Sequence, residues 1–139
     1  MKVNIIFWSG TGNTEAMANL IKAGAESADA QVEIKSVTEA TSSDADNCDI
    51  LVLGCPSMGA EVLEETEFEP YMASIEGNLA GKKVALFGSY GWGDGEWMRD
   101  WTERVKSAGA ELAVESLIVN ETPAGDDIEK CKAFGKSLC

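Results

Sequence analysis

The sequence predicts an α/β fold, a doubly wound five-stranded parallel sheet covered by helices on both faces. Three observations predict it. Short runs rich in Val, Ile and Leu alternate with stretches whose apolar residues recur three and four apart, the pattern of parallel strands joined by helical crossovers. The runs "KVNIIFW", "CDILVLGC" and "KKVALFGS" are mostly apolar and break off at glycine or Ser-Gly, as strands buried on both faces do. At 139 residues, with 45% hydrophobic and 25% charged, the chain has the size and composition of one core, so residues 1–139 read as a single domain.

Lys2–Trp8 is the first strand, ending at Ser9-Gly10. From Asn13 or Thr14 the pattern turns helical, with Met17, Leu20, Ile21 and Gly24 on one face. "QVEIKSV" alternates as a half-buried strand, and "TEATSSDADN" is a polar connector with room for one helical turn. Cys48–Cys55 is the third strand and Lys82–Ser89 the fourth. Between them Thr66–Ile75 reads as a helix, with Pro70 early enough for the first turn. "EWMRDWTERVKSAGA" is an amphipathic helix for which Gly109 supplies a left-handed cap. "ELAVESLIV" is read as one fifth strand running without an inserted segment to Asn120. Ala124–Leu138 is a last helix, opened by Pro123 and the Asp126-Asp127 pair.

Twenty-four acidic against 11 basic residues give a formal charge of -13. Nucleic acid and anionic membrane both require cationic neutralisation, so neither is a partner; a basic protein is. The N-terminal apolar run is too short for a secretory signal, and no run approaches a membrane span of about 18 residues. A cytoplasmic protein is expected. Four cysteines, Cys48, Cys55, Cys131 and Cys139, form no C-x-x-C pair, and the absence of histidine leaves no zinc set. Cys48 and Cys55 at opposite ends of one strand are too far apart to bridge, so free thiols are expected. Without histidine, Ser-His-Asp and Cys-His catalysis are excluded.

In doubly wound sheets ligands sit beyond the C-terminal strand ends, so the loops there carry the functional reading. "SGTGNT", Ser9–Thr14, follows the first strand. It lacks the lysine of a Walker A loop, and Glu15 stands where a dinucleotide fingerprint needs its third glycine. Ser9, Thr11, Asn13 and Thr14 beside the free amides of a helix start suit a single phosphate monoester; the alternative is that Asn13 or Thr14 simply caps the helix. "GCPSMGAEVLEE" and "GSYGWGDGEW" follow the third and fourth strands. Trp92 in an exposed glycine-rich loop either stacks on a ligand or folds back onto its own domain.

"WSGTGNTE", "LGCPSMGAEVLEE" and "ALFGSYGWGDGEWM", in this order and spacing, resemble flavodoxin over essentially the whole chain, and the uninterrupted fifth strand resembles the short-chain branch of anaerobic bacteria. The resemblance implies strand order 2-1-3-4-5 with FMN at the switch between the first and third strands. It implies that Ser9, Thr11, Asn13 and Thr14, with amides from Gly10 through Gly12 to Thr14, hold the FMN phosphate. Ser89, Tyr90, Gly91, Trp92 and Gly93 would supply backbone donors to the flavin pyrimidine edge, with Trp92 stacked on one face. Met58 would cover the other face and Glu61 would accept the N3 hydrogen, with Pro56, Ser57 and Asp94 in the same binding set. The Gly59-Ala60 peptide would turn over on one-electron reduction. Pro56 and Ala60 depart from serine and from Asp or Asn in relatives, removing one phosphate contact and one polar group near the ring.

The function so implied is low-potential one-electron transfer on non-covalent FMN, through the semiquinone/hydroquinone couple, by a monomeric carrier and not an enzyme. Its partners would be redox proteins with basic docking surfaces, steered by Glu61, Glu64, Glu65, Glu67 and Asp94. Two other readings remain: a small FMN-dependent reductase with its own substrate, and a flavin-free binding module. A response-regulator receiver is excluded because Ser9-Gly10 and Gly54-Cys55 stand where its acidic residues belong. A small tyrosine phosphatase is excluded because Glu61 stands where C-x5-R needs arginine after Cys55.

Overall fold

In the computed structural model, which describes residues 1–139, strands and helices alternate as the apolar periodicity requires. The strands are β1 (Lys2–Phe7), β2 (Gln31–Ser36), β3 (Ile50–Gly54), β4 (Lys83–Tyr90), β5 (Glu111–Leu112) and β6 (Leu117–Asn120). The helices are α1 (Asn13–Ser27), α2 (Ser42–Asp46), α3 (Phe68–Glu76), α4 (Glu96–Ser107) and α5 (Asp126–Ser137). All pairings are parallel, in the order β2-β1-β3-β4-β5, with β6 also on β4. The predicted order is therefore the observed one.

The fifth strand departs from expectation, because "ELAVESLIV" is two pieces and not one. Lys83 faces Glu111 and Phe87 faces Leu117, so four steps along β4 are matched by six on its neighbour and two residues bulge out. An edge strand has a neighbour on one side only, and nothing beyond it resists such a bulge. The detour is tied down by a 2.9 Å hydrogen bond between the Ser116 and Thr102 hydroxyls. Smaller shifts occur at other ends. β1 stops at Phe7, leaving Trp8 outside the ladder, and β3 starts at Ile50, leaving Cys48 in the loop before it.

Alternation along the central strands divides the interior into two layers. Val3, Ile5, Phe7, Ile50, Val52, Ala85 and Phe87 pack with α1 and α5. Ile6, Leu51, Leu53, Val84 and Leu86 pack with α3 and α4, where Phe68 and Trp101 meet edge to face at 5.3 Å. On the first face α1 and α5 approach until their backbones touch. A Cβ on Gly24 would lie 2.0 Å from the Lys132 carbonyl oxygen, and one on Gly135 2.0 Å from that of Ile21. All four cysteines are free. Burial pushes the Cys55 thiol up to about 12 and that of Cys131 up to about 11, so neither is a nucleophile near neutrality.

α3 begins at Phe68, two residues later than predicted, because Glu64 caps it. The buried Glu64 carboxylate accepts the amides of Thr66 (2.9 Å), Glu67 (2.6 Å) and Phe68 (2.9 Å), and the Thr66 hydroxyl. Burial alone would raise its pKa, but these donors outweigh burial and the net direction is down. A lowered folded pKa adds stability above the unfolded carboxylate pKa of about 4.3, and the gain disappears as pH falls through the folded value. Glu64→Gln is therefore expected to cost on the order of 1–2 kcal/mol at pH 7 in urea unfolding, with the gap closing below about pH 4. A gap independent of pH would remove the charge from the explanation.

Candidate functional site

Of the loops that the parallel strands bring to one edge of the sheet, four build the site: Trp8–Gly12 after β1, Cys55 onward after β3, Gly91–Gly95 after β4, and Glu121 onward after β6. The first loop turns into α1 through Gly12, whose φ of +97° strains any side chain. Ser9 Oγ accepts the amides of Gly12 (3.1 Å) and Glu15 (3.3 Å), and its own hydrogen remains to be donated. The Thr14 hydroxyl is buried against that of Ser89 at 3.1 Å, joining the first loop to the end of β4. The amides of Gly10, Thr11, Asn13 and Thr14 donate to no other group of the chain.

The second loop is pinned by Ser57, whose amide donates to the Ser89 carbonyl at 3.0 Å. Met58 and Val62 exchange two 2.9 Å backbone bonds, closing a tight turn of Gly59, Ala60 and Glu61. Both Gly59 (φ +50°) and Glu61 (φ +54°) are left-handed. Glu61 Oε1 accepts the amides of Gly95 (3.3 Å) and Glu96 (3.1 Å) at the start of α4. A Cβ on Gly93 would lie 2.5 Å from that carboxylate, so glycine there makes room for it.

A cavity of about 360 Å³ lies between these loops. Of the residues predicted from sequence, Ser9, Gly10, Thr11, Asn13 and Thr14 line it from the first loop, and Pro56, Ser57 and Met58 from the second. Ser89, Tyr90 and Gly91 line it from the third. Gly12, Gly59, Ala60, Glu61, Trp92, Gly93 and Asp94 do not line it. Gly12, Gly59 and Glu61 shape the loops, and Trp92, the residue after the lining Gly91, stands 54% exposed. Asp94 pairs with Arg99 at 2.9 Å, and that hydrogen bond and charge hold its carboxyl below the usual range. Its charge is thus partly offset by Arg99.

Three lining residues lie outside the set that the sequence predicts: Trp8, Glu121 and Thr122. Trp8 has the apolar character of a strand residue, yet its ring lies so close to Gly10 that a Cβ there would sit 2.8 Å away, and its indole donates to Glu67 at 3.1 Å. "NETP" after β6 is a polar break at the same edge as the other loops, and that position is the signal that finds Glu121 and Thr122.

The donor set fits FMN. Four amides without partners, the Thr11 hydroxyl and the buried Ser57 hydroxyl, which also has no partner, suit a phosphate accepting from several directions. No lysine or arginine lines the cavity, so the phosphate charge would be met by dipoles alone. The exposed indole of Trp92, carried on the same loop as the lining Gly91, suits a flat ring.

Fold and site together define a doubly wound α/β flavin-phosphate-binding protein. The flavodoxin family model matches residues 5–135. The chain is 49% identical to a flavodoxin of Clostridium beijerinckii over 137 residues, covering 98% of each chain. It is 47% identical to a flavodoxin of Megasphaera elsdenii over 135 residues, covering 97% of this chain and 96% of that one. The solution structure of the two-electron reduced Megasphaera elsdenii flavodoxin superposes with a TM-score of 0.89 at 45% identity, covering 98% and 97% of the two chains. This chain belongs to the flavodoxin family. Its function is FMN-based electron transfer, as a carrier and not an enzyme, and flavodoxins pass their electrons to redox partner proteins. No helix is long and apolar enough to cross a membrane.

Proposed function

We propose that this single-domain chain works as a monomeric, low-potential, one-electron shuttle in the cytoplasm, docking basic redox partners at the sheet edge that holds FMN. The observation that carries the reading is the set of unpartnered donors around the strand-end cavity, with the acidic loops beside it. FMN supplies a ring that accepts electrons one at a time. Gly10–Thr14 and Ser57 would bind its phosphate, Met58 and Trp92 would enclose the ring, and the third loop with Glu61 would meet its pyrimidine edge. Glu61 Oε2 has no partner in the chain and is free to accept, while Oε1 is anchored on α4. Four free thiols suit a reducing compartment.

Carboxylates set the potential. One negative charge about 10 Å from the ring, at an effective dielectric of about 40, lowers a one-electron potential by about 35 mV. Glu61, Glu64, Glu65 and Glu67 lie on the second loop and its continuation. Glu64 is enclosed in the α3 cap, so Glu61, Glu65 and Glu67 bear the exposed share. Raising ionic strength from about 0.01 to 1 M shortens the screening length from about 30 to 3 Å. The second one-electron potential is accordingly expected to rise by tens of mV in spectroelectrochemistry, and a potential indifferent to salt would overturn the electrostatic account.

The test of the whole reading is the visible spectrum of the purified chain during anaerobic dithionite titration. Flavin bands with quenched fluorescence, reduced in two resolved one-electron steps, are expected. A colourless protein that takes up no added FMN would sink it.

A further inference from the structure

We infer that Thr122 is a positioning residue for the phosphate cradle, orienting the Asn13 carboxamide through a hydrogen bond between the two ends of the chain. The inference rests on the proposed FMN site. Thr122 Oγ1 donates to Asn13 Oδ1 at 2.7 Å across 109 residues of sequence. Both line the cavity, Asn13 from the first turn of α1 and Thr122 from the loop after β6. A phosphate group can be met by the Nδ2 end of an asparagine and is repelled by the Oδ1 end. With Oδ1 engaged by Thr122, the Nδ2 end is left for the ligand, and it makes no hydrogen bond elsewhere in the chain.

The loop that carries Thr122 is itself held in place. Glu121 adopts φ +57°, a conformation that glutamate rarely takes and that persists only where the surroundings impose it. Here its amide donates to the Tyr90 carbonyl at 2.7 Å, and Asn120 Nδ2 reaches the same oxygen at 3.4 Å. Pro123 follows, buried, and fixes the exit. The strained residue thus fastens the loop to the Tyr90 segment on one side while Thr122 fastens it to the phosphate loop on the other. Threonine, branched at Cβ, has few rotamers in which to lose this contact.

The experiment measures dissociation constants of FMN and of riboflavin, which lacks the phosphate, from flavin fluorescence quenching by the flavin-free chain. It compares the unsubstituted chain, Thr122→Val, Thr122→Ser, Asn13→Ala and the Thr122→Val/Asn13→Ala pair. Thr122→Val is expected to weaken FMN about tenfold and riboflavin less than about twofold. Thr122→Ser restores FMN binding, and Thr122→Val adds nothing once Asn13 is alanine. If the unsubstituted chain binds FMN while Thr122→Val changes both ligands equally or neither, the inference fails alone. If the unsubstituted chain does not bind FMN, the site reading fails and the inference with it.

Discussion

Gly135→Ala is expected to destabilise the chain by about 3 kcal/mol or more, lowering the melting temperature by on the order of 10 °C. The new Cβ would stand 2.0 Å from the Ile21 carbonyl oxygen and 2.9 Å from the Ala25 nitrogen, both of them backbone atoms that no rotamer change can move. The only relief is to slide α1 away from α5, which opens the layer built on Met17, Ile21 and Phe134. That movement would also displace α1 beneath the phosphate loop, so flavin affinity should fall together with stability. Gly77→Ala is the control: it has open space around its Cβ position and an ordinary φ of -67°, and is expected to leave the melting temperature unchanged. Equal melting temperatures for Gly135→Ala and the unsubstituted chain would mean that the two helices do not touch as described.

Trp92→Ala should have the largest effect on the ligand and almost none on the fold. The side chain is 54% exposed and forms neither a hydrogen bond nor a ring pair within the chain. Its removal leaves both core layers intact. Stacking of an aromatic side chain on a flat heterocycle is worth about 1–3 kcal/mol, so FMN affinity should drop about 10- to 100-fold. Riboflavin should lose the same factor, because the phosphate is not involved. That parallel loss separates a ring contact from a defect in the phosphate loop. Unchanged affinity in calorimetric titration would return Trp92 to the status of a surface residue.

The parts of the molecule legible in the sequence are those governed by local rules. Val, Ile and Leu runs stopped by glycine gave the central strands, and three-four spacing gave α1 and α4, because burial on both faces or on one stripe forces those patterns. The left-handed Gly109, at φ +91°, lies where the end of α4 predicts it. What could not be read depends on partners far along the chain. Glu64 looks like one more acid in "EVLEETEFE" until α3 folds back onto it, and the anchoring of Glu61 appears only where Gly95 and Glu96 meet it. The bulge in "ELAVESLIV" leaves no mark in composition, since it follows from a register against β4. Trp8 was hidden for a simpler reason: an apolar residue at the end of a strand looks the same whether its ring lies in the ladder or beside a loop.

The bulge also bears on how copies of the chain coexist. A sheet ends in rows of unpaired amides and carbonyls, and a long, flat row invites a foreign strand to add to it. Here one rim is cut into pieces of two and four residues whose registers do not match. The opposite rim, β2, carries Glu33 and Lys35, charges that an incoming strand would have to accommodate. Neither border presents a long, flat, uncharged row. Addition of a foreign strand is therefore disfavoured at both borders.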